Sequence, residues 1–209
     1  MKKNYTHITM ILDRTGSMES IRDDTIGGVN SFLGENEFLP GVVTLTLVQF
    51  DTQDPYEVIH RFKPIKNVPP LTRETYVPRA STPLLDAIGH GINDLENCIE
   101  NLADEERPAK IIFVIVTDGQ ENSSREFTKS LIEKMIKNHS DGNGWQFVFL
   151  SADLGAMSDA QDMGFKKSAS MYFSKTKEEI EEAYDVLFQS AKDYVCSEKD
   201  SVEFDQKDS

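Results

Sequence analysis

Cysteine is nearly absent: Cys98 and Cys196 are the only two, far apart, with no CxxC or Cys/His spacing around either. That excludes a disulfide framework and a zinc site of the Cys/His type, and two reduced thiols in a cytoplasmic protein are the expectation. Basic residues are scarce, 22 Lys and Arg against 36 Asp and Glu, for a formal net charge of −14. A general phosphate-backbone binder needs clustered Lys and Arg, so nucleic acid is not an expected partner. The acidity suits solubility first and attraction of cations second. No apolar run approaches the roughly 20 residues needed to span a bilayer, so no membrane segment is expected. Met1-Lys2-Lys3 has the look of a signal n-region, but Asn4-Tyr5-Thr6-His7 follows and the apolar stretch ends at Asp13, which argues against secretion by that route. The sequons at Asn4, Asn122 and Asn138 then read as chance matches.

What is present is an alternation of apolar runs and amphipathic stretches. Ile8 to Leu12, Val42 to Phe50, Ile111 to Val116 and Trp145 to Leu150 read as strands. Ile111 to Val116 is continuously apolar, the mark of a central strand buried on both faces. Residues 19–36, Leu84 to Leu102, Phe127 to Lys137, Ala156 to Met163 and Lys175 to Tyr194 carry helical periodicity. Gly27-Gly28 inside the first of these costs helix about 1 kcal/mol per glycine, and close packing against the sheet is the expected reason. The short Asp51–Pro55 connection makes Tyr56 to Ile65 an antiparallel hairpin partner, because a parallel crossover needs about a dozen residues. Asn67 to Arg79, with three prolines, reads as a long surface loop. Asp141 to Gly144 reads as a turn. The expected class is α/β: a doubly wound, mostly parallel central sheet with one antiparallel edge strand and helices on both faces, Rossmann-like. Residues 1–195 form one domain, and 196–209 read as an acidic, disordered tail with almost no core residues.

The chemistry gathers at strand ends. Ile8–Leu12 runs into Asp13-Arg14-Thr15-Gly16-Ser17, a carboxylate followed by hydroxyls at alternate positions. Alone, this reads equally as a strand-to-helix turn with a Thr or Ser cap, or as a loop for a hard cation. The Ile111–Val116 run likewise ends in Thr117-Asp118-Gly119, and Ser81-Thr82-Pro83 opens the Leu84 helix, where Thr82 also suits an N-cap. In a doubly wound sheet, two central strands deliver their C-terminal ends to one mouth at a topological switch point. Asp13, Thr15, Ser17, Thr82 and Asp118 would then converge as an oxygen-only set close to what octahedral Mg2+ requires, with Mn2+ or Ca2+ as alternatives. His90 has no second His or Cys at ligand spacing and reads as a partly exposed surface residue.

Asp13-Arg14-Thr15-Gly16-Ser17-Met18 resembles the metal-ion-dependent adhesion site of von Willebrand factor type A domains. The family's DxSxS falls on Asp13, Thr15 and Ser17, its later Thr on Thr82 and its Asp-Gly on Asp118-Gly119. Thr15 departs from the family's Ser but keeps the hydroxyl. The resemblance spans about residues 6 to 194. It implies a divalent cation above the sheet and a protein partner whose Asp or Glu carboxylate completes the coordination. Thr117, Gln120, Glu121 and Tyr76 are candidates for a partner-selecting rim, or else ordinary polar loop residues. The expected function is a cation-dependent protein-binding module without catalysis. Two alternatives stay open: an adaptor subunit of a larger cytoplasmic assembly with a structural metal, and a metal-dependent hydrolase. Against the hydrolase, DxDxT fails at Thr15 and no base or phosphate clamp is placed by motif. Nothing in the sequence specifies an oligomeric state.

Overall fold

In the computed structural model, which describes residues 2–36 and 39–204, the first apolar run lies in a long strand, β1 (Lys2–Asp13). The other strands are β2 (Val42–Phe50), β3 (Glu57–Pro64), β4 (Pro108–Thr117), β5 (Gln146–Ser151) and β6 (Ser170–Tyr172). They form a single sheet in the order β3-β2-β1-β4-β5-β6. Every pairing is parallel except the β2–β3 hairpin at one edge. The helices are α1 (Arg22–Asn36), α2 (Leu84–Glu100), α3 (Lys129–Asn143), α4 (Leu154–Asp162) and α5 (Lys177–Val195). This is the doubly wound α/β architecture the alternation predicts.

The continuous apolar character of β4 follows from its neighbours. Ile112, Val114 and Val116 face a core shared with α1 and α5. Ile111, Phe113 and Ile115 face a second core filled by α2, α3 and α4. Neither face meets water, so neither needs a polar residue. Among the described residues no helix is long and apolar enough to cross a membrane.

Three local expectations are corrected. A Cβ on Gly28 would lie 2.1 Å from the Tyr184 ring, so this glycine admits α5 against α1 rather than α1 against the sheet; no contact explains Gly27. The turn expected at 141–144 is the last turn of α3, closed by Gly144 at φ 68°, a left-handed cap that favours glycine. The segment from Cys196 is not a disordered tail as far as residue 204. Val202 and Phe204 are buried in the α1–α5 core. The Val202 N–H donates to Gln146 Oε1 at 3.2 Å, the Phe204 N–H to the Ser168 carbonyl at 2.7 Å, and Ser190 Oγ to the Glu203 carbonyl at 3.0 Å. Lys110 Nζ donates to the Val195 carbonyl at 3.1 Å and to Ser197 Oγ at 2.8 Å, closing the end of α5. Two apolar residues are enough to anchor a charged strap when a groove is waiting for them. Residues 205–209 lie outside the described residues.

Candidate metal centre

β1 and β4 pair in parallel, with Leu12 opposite Val116, so Asp13 and Asp118 leave the sheet side by side. The connection from β1 leads to β2 on one side while β4 lies on the other, which makes this the switch point of the sheet. Asp13 is fully buried. Its Oδ1 accepts the Thr15 N–H at 2.7 Å and its Oδ2 accepts the Thr117 hydroxyl at 2.6 Å. The Thr15 and Ser17 hydroxyls are 3.2 Å apart, and Thr82 Oγ1 donates to Thr15 Oγ1 at 3.3 Å. Ser17 Oγ donates to Asp118 Oδ1. All five expected residues therefore share one hydrogen-bonded cluster.

Two loops bring Thr82 to the mouth. The Arg79 N–H donates to the Arg14 carbonyl at 2.8 Å, and the Gly16 N–H to the Ala80 carbonyl at 3.1 Å. This stitching holds Ala80 at φ 58°, a left-handed conformation that a residue with a Cβ adopts at a cost and that clusters at binding loops. From the other side, Asn122 Oδ1 accepts the Thr82 N–H at 3.0 Å, and the Asn122 N–H donates to the Thr82 carbonyl at 3.1 Å. Thr82 does not cap α2; no side chain at the Pro83 cap position does. The orphan N–H of Leu85 is taken by Glu121 Oε2 at 2.9 Å, from the loop after β4. That frees the Thr82 hydroxyl for the cluster.

Sequence reasoning missed four supports. Asp86, buried in the first turn of α2, accepts the N–H groups of Arg125, Glu126 and Phe127 at 2.8, 2.9 and 2.9 Å. An Asp inside the apolar Leu84-Leu85-Asp86-Ala87 run was the available signal. Tyr76 and Thr117, candidates for the rim, are instead completely buried. The Tyr76 hydroxyl donates to the Asp13 backbone carbonyl at 2.6 Å, so it props the site from below. Glu121 is scaffold as well, its Oε1 accepting the Ser123 and Ser124 N–H groups at 2.7 Å. Only Gln120 fits the rim: it is exposed, and its amide lies over Gly155, where a Cβ would come within 1.5 Å of Nε2.

Burial dominates the electrostatics of the cluster. Burial pushes the Asp13 carboxyl up to about 7; hydrogen bonds from Thr117 and Thr15 hold it back, and the nearby Asp118 charge adds to the rise. Neither donor to Asp13 is charged, and a buried carboxylate without a cation is costly. The donor set is two carboxylates and three hydroxyls, all hard oxygen. Among the described residues no group of three or more His, Cys, Asp or Glu forms an alternative metal cluster. The residues fit a hard divalent cation: two carboxylates would balance its charge and neutral hydroxyls would contribute to its shell.

No protein-family model matches the sequence, and no curated protein matches it. Solved structures do match. One is a von Willebrand factor type A protein from Catenulispora acidiphila, at 10% identity and TM-score 0.59, covering 90% of this chain and 43% of that one. The chain has the von Willebrand factor type A fold. Proximal thread matrix protein 1 from the mussel byssus, with a zinc-occupied MIDAS motif, shares it at 14% identity and TM-score 0.61, over 90% of this chain and 46% of its own. The pilus adhesin SpaC from Lactobacillus rhamnosus GG gives TM-score 0.66 at 15% identity, over 94% of this chain and 30% of its own. The chain thus spans less than half the length of each of these proteins of the same fold.

Proposed function

We propose that this chain is a divalent-cation-dependent protein-binding module. Asp13, Thr15, Ser17, Thr82 and Asp118 hold the cation, Mg2+ by the hardness of the donors, and an Asp or Glu carboxylate of a protein partner completes its coordination. The observation that carries this reading is Asp13: fully buried, donated to only by neutral groups, and set in a cluster of hydroxyls with a second buried carboxylate. When bound, the ion supplies an electrophilic position open to an incoming carboxylate. The chain's own part is orientation. Thr117 and the Thr15 N–H fix the two oxygens of Asp13, Asn122 fixes the Thr82 backbone, and Tyr76 holds the backbone of Asp13 itself. The pilus adhesin and the zinc-bearing byssus protein of the same fold support a binding role and a metal at this position.

Calorimetric titration with MgCl2 and MnCl2 tests the reading. Wild type should bind one ion, and Asp13→Ala and Asp118→Ala should lose binding while keeping the wild-type circular dichroism spectrum. Unchanged affinity in both variants would refute the site. Partner capture should then fail in chelator; capture that persists there would assign the metal a structural role in an assembly.

A further inference from the structure

One cation already reaches this cluster from within the chain. Lys175 Nζ donates to Asp118 Oδ2 at 2.6 Å. The Asp118 side chain is fully buried, whereas that of Lys175 is 40% exposed. The two carboxylate oxygens are therefore divided: Oδ1 faces the hydroxyl cluster through Ser17, and Oδ2 faces the ammonium. The backbone around Lys175 is held in place on both sides. Upstream, Tyr172 pairs with Ser151, and the Phe173 N–H donates to the Ser151 carbonyl at 3.1 Å. Downstream, Thr176 caps α5, whose Glu179 Oε2 accepts the N–H of Ser174, just before Lys175, at 2.7 Å. Lys175 thus projects from a short bridge between a paired strand and a capped helix, at a high effective concentration over Asp118.

We propose that Lys175 is a tethered counter-ion of the metal site: it compensates Asp118 in the metal-free protein and opposes the divalent cation, so that its charge sets the metal affinity. The inference rests on the metal reading above. Without Lys175, the two carboxylates offer a divalent ion two full negative charges; with it, the site is one charge poorer and the ion meets a fixed ammonium. Binding and ion pairing are linked, so whatever Lys175 contributes to the metal-free fold it subtracts from metal binding.

Titrations with MgCl2 and MnCl2 on the full chain, together with thermal unfolding in EDTA and in saturating Mg2+, test this on wild type, Lys175→Met and Lys175→Arg. Lys175→Met should tighten the metal Kd at least about five-fold, the lower end of coupling between linked sites, and Lys175→Arg should stay within about two-fold of wild type because it keeps the charge. The Met variant should melt lower than wild type in EDTA and level with it in saturating Mg2+. An unchanged or weaker Kd for Lys175→Met overturns the proposal, the weaker Kd by making Lys175 a positioning residue for Asp118. An equal loss of Tm in both buffers overturns it too, in favour of a merely structural ion pair. Failure of wild type to bind either metal overturns the site reading itself and this proposal with it, a result separable from metal binding indifferent to Lys175.

Discussion

Two acids at the same end of adjacent parallel strands meet opposite fates. Asp13 ends β1; Asp51 follows β2, whose last residue, Phe50, lies opposite Asp13. Both are completely buried. Asp51 Oδ2 receives Nε of Arg14 at 2.7 Å and Nε of Arg79 at 2.8 Å, and its Oδ1 receives the N–H of Gln53 at 2.6 Å. Burial alone would raise its carboxyl, but hydrogen bonds from Arg79, Arg14 and the backbone outweigh that and hold it below the usual range. Asp13 receives only neutral donors, and burial wins. Arg14 adjoins Asp13 in sequence, yet its guanidinium turns away to Asp51, Gln49 and Glu57. The same burial therefore yields a closed structural cluster around Asp51 and an open demand for positive charge around Asp13. Burial of an acid is no sign of a ligand site, and neither is a neutral donor set, since Asp86 is buried with three backbone donors. Asp13 differs in standing beside the Thr15, Ser17 and Thr82 hydroxyls and a second carboxylate.

Substitution should split the pair most sharply. Asp51→Ala leaves the buried Arg14 guanidinium with only Gln49 and Glu57 and should lose about 3 kcal/mol of stability, the lower end of the cost of removing one partner of a buried ion pair. The loss should be the same in chelator and in Mg2+. Asp13→Asn removes an uncompensated charge and keeps the volume, so in chelator at pH 8 it should gain up to about 4 kcal/mol, while Mg2+ no longer stabilises it. Urea unfolding of the two variants with and without EDTA measures both. Two destabilisations of similar size would erase the distinction between the clusters.

A pH series sharpens the comparison next. The Asp13 carboxyl stands at about 7 folded against an ordinary 3.8. Below pH 3.8 it is protonated in both states and contributes nothing. Between these values the unfolded chain ionises and the folded one does not, so stability falls as pH rises, reaching a deficit of about 4 kcal/mol above pH 7. Asp51 has the reverse sign: its contribution is present above its ordinary value and is lost as pH falls through its lowered folded value. The difference in unfolding free energy between wild type and Asp13→Asn in EDTA, from pH 5 to 8, should therefore grow with pH. Saturating Mg2+ should abolish that growth. A flat difference in EDTA would mean that Asp13 is already compensated.

How far the sequence could be read follows from the range of each contact. β1, β4 and their terminal acids were legible because each is a local pattern, an apolar run stopped by Asp, and parallel topology does the joining. Thr82 was legible as a candidate but not as a free hydroxyl, because the α2 cap it seemed to supply comes from Glu121, thirty-six positions beyond the Leu85 N–H that it accepts. Tyr76 lies in a proline-rich loop with no periodicity, and nothing local distinguishes a rim aromatic from one buried under the site. The Arg14–Asp51–Arg79 cluster joins three segments, so Asp51 read simply as a turn residue; it does accept N–H groups across that turn, from Gln53 and Asp54. Val202 and Phe204 were averaged away by their charged neighbours, although alternate apolar residues are the usual mark of a one-sided strap.

The smallest effect belongs to the one motif position that departs from the resemblance. Thr15 is 1% exposed, and its hydroxyl stands between those of Ser17 and Thr82. Thr15→Ser keeps that hydroxyl and deletes one buried methyl, so it should cost about 0.8 kcal/mol of stability and leave the Mg2+ Kd within about two-fold. Thr15→Val keeps the volume and removes the oxygen, so it should weaken the metal at least about ten-fold, since a ligand and a hydrogen-bond partner are lost together. Calorimetry on the two variants separates methyl from oxygen. If Ser weakened the metal as much as Val, the site would depend on how the Thr15 methyl packs rather than on its hydroxyl, and the open cluster around Asp13 would be a matter of shape before charge.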